Sequence, residues 1–281
     1  MRTELVTIAT DTQQPLDGAW YEPEGGATAG AVLLFHGNTM NFYVGAPRFL
    51  PPALTELGYA CLAFNRRGHD ILSNRNSRAV EGAAFQTTAE AIADNEFAAD
   101  WLKREKGFDA PVVIGHSNGG FLGVQHVARH PETPALVLLS GHAGGTVQER
   151  LAPATGLLGG ERTEEFRRQA EAMVAEGRSA DLMLLPGWWY VASAESYLDR
   201  LTTMPDTVAT APQISCPVLY IRGDKELREA YPAEDFAAAS AGPCDVEIVE
   251  NCDHYYNDRE DAITELVASW LARRFGLPIA A

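Results

Sequence analysis

One serine lies in a sequence pattern that can make it a nucleophile. An apolar run at 111–114 is followed by a Gly-x-Ser-x-Gly sequence at 115–119, and 121–129 then has apolar residues at helical spacing. Strand, tight turn and helix form the context of a nucleophile elbow, in which a strained turn projects the serine hydroxyl outward. The pattern predicts Ser117 as the nucleophile. It also places the backbone N–H of Asn118 at the first turn of the helix, where it can donate to an oxyanion.

A serine hydroxyl needs a general base that is oriented by a third group. Asp224 follows a buried strand and His254 follows the next strand, so both should lie at the sheet edge that carries Ser117. The chain order Ser, acid, His predicts Asp224 as the acid and His254 as the base. Glu226 is the alternative acid, because an aspartate after Gly223 also suits a turn or a helix cap.

A second oxyanion donor is expected from the loop after the apolar run 31–35. His36, Gly37 and Asn38 form this loop. The glycine permits a close backbone approach, and the N–H of Asn38 is the predicted donor. His36 is expected to orient the loop rather than to transfer protons.

Buried strands and helices alternate along most of the chain. Residues 3–9 and 17–22 predict a hairpin, and continuous apolar runs predict parallel strands covered on both faces. The sequence therefore predicts an α/β fold with a mostly parallel sheet and helices on both of its faces. The predicted strands after the hairpin are 31–35, 59–64, 111–114, 135–139, 217–221 and 246–249.

The alternation stops between residues 141 and 212, which we call the cap segment. Helices are predicted at 161–176 and 192–201, and no strand stands out, so the segment is expected to be a helical insertion. Residues 1–140 and 213–281 would then form the core domain. Four cap side chains offer an apolar wall that could bind substrate or hold the cap in place: Met183, Trp188, Trp189 and Tyr190.

Composition excludes several classes of partner. The 281 residues include 22 basic and 38 acidic side chains, and the formal charge of -16 argues against binding to nucleic acid or to an anionic membrane. No apolar stretch approaches the length of a membrane span, and the N-terminus has no signal core. The four scattered cysteines favour free thiols in a reducing cytoplasm, with a Cys244–Cys252 bridge left open.

With these motifs in place, the chain resembles the α/β-hydrolase fold family, and within it the capped serine hydrolases. The resemblance is carried by His36-Gly37, Arg67-Gly68-His69, the elbow at 115–119, Gly223-Asp224 and Asp253-His254. It implies an eight-stranded sheet, a Ser-Asp-His triad and no cofactor. No residue of the sequence is assigned to a metal site. Serine at the elbow differs from the aspartate of related haloalkane dehalogenases and epoxide hydrolases.

The expected reaction is hydrolysis of an ester, lactone or related acyl bond of a small, largely apolar substrate through an acyl-enzyme. A carbon–carbon bond hydrolase or an acyltransferase would use the same residues. A ligand-binding module without turnover is a further alternative of a different class. The expected partner is a small molecule, and the chain is expected to be a monomer or a homodimer.

Overall fold

An eight-stranded sheet organises the computed structural model, which describes residues 1–74, 79–187 and 190–278, with the backbone but not the side chain of Tyr190. The strand order is β1-β2-β4-β3-β7-β8-β11-β12. Its strands are β1 (Arg2–Ile8), β2 (Leu16–Glu22), β3 (Gly30–Phe35), β4 (Tyr59–Phe64), β7 (Val112–His116), β8 (Leu136–Leu139), β11 (Val218–Gly223) and β12 (Cys244–Val249). Two small hairpins, β5 (Ser73–Asn74) with β6 (Val80–Glu81) and β9 (Leu182–Leu185) with β10 (Tyr190–Ser193), lie outside this sheet.

The sheet is mostly parallel, as the sequence predicts. β3 is parallel to β4 and β7, and β7, β8, β11 and β12 continue the parallel arrangement. Only β2 runs the other way, because it forms the predicted hairpin with β1 and pairs antiparallel with β4. All residues of β4, β7, β8 and β11 are buried, which explains their continuous apolar sequences.

Helices cover both faces of the sheet and bury two separate apolar layers. One layer packs side chains of α2, α3 and α9 against the sheet, and the other packs α1 and α10. Five helices form these layers: α1 (Ala46–Glu56), α2 (Thr88–Trp101), α3 (Asn118–Arg129), α9 (Ala233–Ala239) and α10 (Glu260–Phe275). A π-helical turn, Leu102–Lys106, extends α2.

The cap segment contains short helices and the β9–β10 hairpin. Its helices are α4 (Gly145–Arg150), α5 (Ala152–Thr155), α6 (Thr163–Ala175), α7 (Ala194–Thr202) and α8 (Thr207–Thr210), with 3-10 turns at Leu157–Arg162 and Ala211–Gln213. Apolar side chains between Ala152 and Leu201 form a core of their own. The domain boundaries at 140/141 and 212/213 stay a prediction.

The cap segment was expected to be helical, with no strand standing out, and the β9–β10 hairpin was not predicted. Leu182 and Leu184 are exposed whereas Met183 and Leu185 are buried, which is the alternation of a strand. Leucine and methionine are also good helix formers, so four such residues carry no clear period in the sequence.

The four cysteines are free thiols, as the sequence favours, and the open alternative of a Cys244–Cys252 bridge is wrong. Within the described ranges, none of the helices combines the length and the apolar character that a membrane crossing requires.

Candidate active site

Ser117 lies in a strained turn between β7 and α3. Its φ of 56° and ψ of −116° are unfavourable for a residue with a side chain. The turn is held by the Ser117 N–H, which donates to the carbonyl of Leu139 over 2.8 Å. A Cβ on Gly115 would collide with the backbone of Gly119, and one on Gly119 would collide with Phe35. Both glycines of the motif are therefore required by the close approach of strand, loop and helix.

His254 connects Ser117 to a buried carboxylate. Its Nε2 lies 3.0 Å from the Oγ of Ser117, and its Nδ1 lies 2.7 Å from Oε1 of Glu226. The other carboxylate oxygen of Glu226 accepts from the hydroxyl of Ser140 at 2.6 Å and from the N–H of Gly223 at 2.8 Å. The side chain of Glu226 is 3% exposed. Three donors thus fix this carboxylate, which in turn orients the imidazole.

Asp224 does not contact His254, so its assignment as the orienting acid was wrong. It is exposed, and its Oδ1 accepts from the N–H of Cys252 at 3.1 Å. Hydrogen bonds from the backbone of Asn251 and of Cys252 hold the pKa of Asp224 below its usual value. Asp224 is therefore a turn residue, which is the alternative role that its position after Gly223 allowed. The tight turn from Gly223 to Glu226 carries the second acidic side chain, and not the first, toward the imidazole.

His116 supports the loop that carries His254. Its Nε2–H donates to the carbonyl of His254 over 2.8 Å, and the two rings lie 5.1 Å apart. Burial, with a smaller contribution from the charge of His254, lowers the pKa of His116 to about 3. His116 is consequently a neutral donor at physiological pH, and it fixes the backbone of His254 from beneath the elbow.

The loop after β3 lies directly beside Ser117. A Cβ on Gly37 would come within 3.4 Å of the Ser117 Cβ. His36 shapes this loop: Nε2 accepts from the N–H of Arg66 at 3.1 Å, so Nδ1–H donates to the carbonyl of Gly37 at 2.7 Å. Burial lowers the pKa of His36 well below its usual value, with a further contribution from Arg66. The neutral ring therefore acts as an internal brace, as expected from the sequence.

A cavity of about 140 Å³ opens above Ser117 between the core and the cap segment. Both predicted oxyanion residues, Asn38 and Asn118, line it together with Ser117 and His254. The rest of the wall mixes apolar and polar side chains, and the cap contributes residues from α4, from α7, from the 3-10 turn at Leu157–Arg162 and from the loops after β9 and α7. The described lining residues from the cap and its flanks include Gln148, Leu157, Leu158, Pro186, Arg200 and Met204.

Of the four side chains predicted to form the substrate-binding wall, that of Met183 lies within the described residues. Trp188 and Trp189 lie outside the described residues, and so does the side chain of Tyr190. Met183 was assigned wrongly: it is 2% exposed and packs in the core of the cap rather than on the cavity wall. The alternation along β9 turns Met183 inward.

His142 and Arg200 are two of the lining residues that the sequence analysis did not predict. His142 follows β8 and stacks on Phe121, with its Nε2 3.4 Å from Nδ2 of Asn118. Burial, followed by the charges of His254 and Arg200, lowers the pKa of His142 to about 3, so its ring is neutral. Arg200 of α7 donates to the carbonyl of Ala83 and brings a guanidinium to the cavity. The position of His142 directly after a parallel strand could have indicated that it lies at the site. No sequence pattern indicated this for Arg200.

The chain matches the model of one known protein family. A model described as the alpha/beta hydrolase family matches residues 32–268. This match spans both the elbow and the loop of His254. No curated protein matches the chain with significance.

Solved structures with similar folds cover nearly the whole chain. Est1E from Butyrivibrio proteoclasticus, solved with ferulic acid bound, is 17% identical, with a TM-score of 0.71, over 96% of this chain and 99% of its own. The alpha/beta hydrolase GrgF from Penicillium sp. sh18 is 15% identical, with a TM-score of 0.72, over 98% and 100%. A dienelactone hydrolase from Anabaena variabilis is 18% identical, with a TM-score of 0.61, over 97% of both chains. At these identities the likeness shows a shared fold.

Proposed function

The chain belongs to the alpha/beta hydrolase family, and we propose that it is a serine hydrolase that cleaves a carboxylic ester of a small molecule. The observation that carries the proposal is the continuous hydrogen-bond chain from Ser117 through His254 to Glu226, with distances of 3.0 and 2.7 Å. Ser117 and His254 line the cavity between core and cap, and the carboxylate of Glu226 is buried behind them. The esterase domain of a Rhodothermus marinus protein and the dienelactone hydrolase from Anabaena variabilis have the same fold, which agrees with the proposal.

The first half of the reaction forms an acyl-enzyme. The Oγ of Ser117 attacks the ester carbonyl, and its proton passes to Nε2 of His254. The carboxylate of Glu226, which accepts from Nδ1–H, stabilises the imidazolium that results. The N–H groups of Asn38 and Asn118 are the proposed donors to the oxyanion, and each such donor is typically worth about 3–4 kcal/mol. The leaving alkoxide then takes the proton from Nε2, and the C–O bond breaks.

The second half releases the acid. Water enters the place of the alcohol, gives its proton to Nε2 of His254, and attacks the acyl carbonyl. The tetrahedral intermediate collapses as Ser117 Oγ leaves and recovers the proton from Nε2. Enzyme and imidazole return to their initial states, so the net reaction is ester plus water to acid plus alcohol.

The cavity sets the proposed size of the substrate. Its volume of about 140 Å³ suits a short acyl or aromatic group rather than a long chain. Phe121, Leu122 and Leu157 supply apolar surface, whereas Gln148 and Arg200 supply polar groups. We therefore expect the ester to carry a polar or hydrogen-bonding substituent in addition to its apolar part.

A series of p-nitrophenyl esters tests the proposed function. Wild-type protein should hydrolyse the acetate and butyrate, with a burst of one p-nitrophenol per chain where deacylation is slow, and should turn over decanoate poorly. Ser117→Ala should lose this activity. Turnover that persists in Ser117→Ala would refute the acyl-enzyme, and added alcohols that divert the acyl group from water would show an acyltransferase instead.

A further inference from the structure

A second cluster of chemically active side chains lies between α2 and the end of α3, outside the cavity. Glu96 is on α2, His126 is on α3, and His130 follows the last residue of α3. Each offers one ligand atom, and these atoms all lie within 4.8 Å of one another. His126 is about two and a half helical turns from the elbow, or roughly 13 Å along the axis of α3.

The geometry of the cluster suits a metal ion. His126 lies on the last turn of α3 and His130 caps the C-terminal end of this helix four residues later. Their rings stack 4.2 Å apart, so both can present a nitrogen to one centre. Oε1 of Glu96 lies 3.1 Å from Nδ1 of His126, and Oε2 lies 2.6 Å from Nε2 of His130. Tetrahedral zinc, with bonds of about 2.0–2.2 Å to nitrogen and oxygen, requires ligand separations of about 3.4 Å. Small rotations of the partly exposed Glu96 and His130 side chains reach that spacing.

Supporting contacts around the two rings are those found around metal-bound histidines. Nδ1 of His130 lies 3.1 Å from Oε1 of Glu132, so a carboxylate accepts from the nitrogen that does not face the centre. Such an outer carboxylate fixes the tautomer of a ligating imidazole. The ring of His126 is 3% exposed and packs edge-on against Phe35, which fixes its orientation.

We propose that Glu96, His126 and His130 bind one divalent transition-metal ion, with zinc the best fit to two imidazoles and one carboxylate. Imidazole nitrogen with carboxylate oxygen suits Zn²⁺ better than the all-oxygen coordination of Ca²⁺ or Mg²⁺. Because His130 and Glu96 are partly exposed, water can supply the fourth ligand. The ion would join α2 to the end of α3, and its role would be structural, since the cluster lies apart from Ser117.

Titration of chelator-treated protein with Zn²⁺ tests the site, and Co²⁺ gives a second readout through its visible spectrum. Wild-type protein should bind one equivalent of Zn²⁺, with a higher unfolding temperature as a result. His130→Ala and Glu96→Gln should each lose this equivalent and the temperature rise. Glu132→Gln should weaken binding by about 10- to 100-fold, since it removes only the orienting carboxylate.

A matched control uses a histidine outside the cluster. His69 pairs with Asp70 and Glu81, so His69→Ala should leave the zinc stoichiometry unchanged. The Ser117→Ala protein should also bind one equivalent, which keeps this test separate from the hydrolase proposal. Absence of saturable binding in the wild type would overturn the inference. Binding that survives both His130→Ala and Glu96→Gln would overturn it too, because the ion would then lie elsewhere.

Discussion

Oε1 of Glu226 lies 2.7 Å from Nδ1 of His254, while Asp224, two residues earlier, is exposed and caps the backbone of the loop at 251–252. The same turn therefore carries two acidic residues with different roles. One orients the imidazole, and the other stabilises the loop that carries it.

This relationship predicts opposite outcomes for two conservative substitutions. Glu226→Gln should lower kcat by about 10⁴-fold, because an amide neither holds the catalytic tautomer nor stabilises the imidazolium. Asp224→Asn should keep near-normal kcat and lose only a little stability. Steady-state ester hydrolysis with both variants decides the matter. Full activity in Glu226→Gln together with loss of activity in Asp224→Asn would show instead that Asp224 is the acid that orients His254.

The strained turn at Ser117 predicts a difference between two inactive variants. Ser117→Ala and Ser117→Gly both remove the nucleophile, but only glycine adopts φ 56° and ψ −116° without strain. Ser117→Gly should therefore unfold with a free energy about 1 kcal/mol higher than Ser117→Ala. Urea denaturation of the two variants measures this difference in the free energy of unfolding. Equal stabilities, or a less stable glycine variant, would contradict stored strain at the elbow.

Buried neutral histidines predict acid sensitivity. The pKa values of His116 and His142 are lowered to about 3, and that of His36 is lowered well below its usual value, mainly by burial. Below about pH 6.5 these histidines bind protons in the unfolded chain but stay neutral in the folded chain. The free energy of unfolding therefore falls as pH decreases toward 3. Each such histidine contributes a slope of about 1.4 kcal/mol per pH unit.

One carboxyl opposes this trend. Burial raises the pKa of Asp94 to about 6, so the folded chain binds its proton more tightly and gains stability below that pH. The three histidines together change the free energy of unfolding by more per pH unit than Asp94 does. The protein should therefore lose stability from pH 6.5 to 4. Urea unfolding across this range checks the slope, and His116→Gln should flatten it. A slope that is unchanged in His116→Gln would show that this ring does not stay neutral.

Docking of the cap predicts a role for Asp199. Its Oδ2 accepts from the N–H and the hydroxyl of Thr88 at 2.6 and 2.8 Å, which joins α7 to the first turn of α2. Asp199→Ala should lower the free energy of unfolding by about 2 kcal/mol and raise KM, since α7 lines the cavity through Arg200.

The matched control for Asp199 is Asp181→Ala. Asp181 pairs with Arg178 on the exposed surface of the cap, so its loss should leave KM unchanged. Equal KM values in the two variants would mean that the Thr88–Asp199 contact does not position the cap.

Much of this arrangement could be predicted from the sequence, and the exceptions have physical reasons. The elbow motif restricts Ser117 locally, and the parallel strands bring His254 to the same sheet edge, so both positions follow from short-range patterns. The choice between Asp224 and Glu226 depends on the path of a four-residue turn, which residue types alone do not fix. Arg200 reaches the cavity only because the cap folds back over the core, and that contact is purely tertiary.

Intact-mass analysis after incubation with a fluorophosphonate tests the central claim most directly, because the reagent modifies only a serine that is activated as a nucleophile. Wild-type protein should gain one adduct, which peptide mapping places on Ser117, and Ser117→Ala should gain none. Glu226→Gln should react much more slowly than the wild type. An unmodified wild-type chain, or an adduct that persists in Ser117→Ala, would contradict the activation of Ser117 by His254 and Glu226.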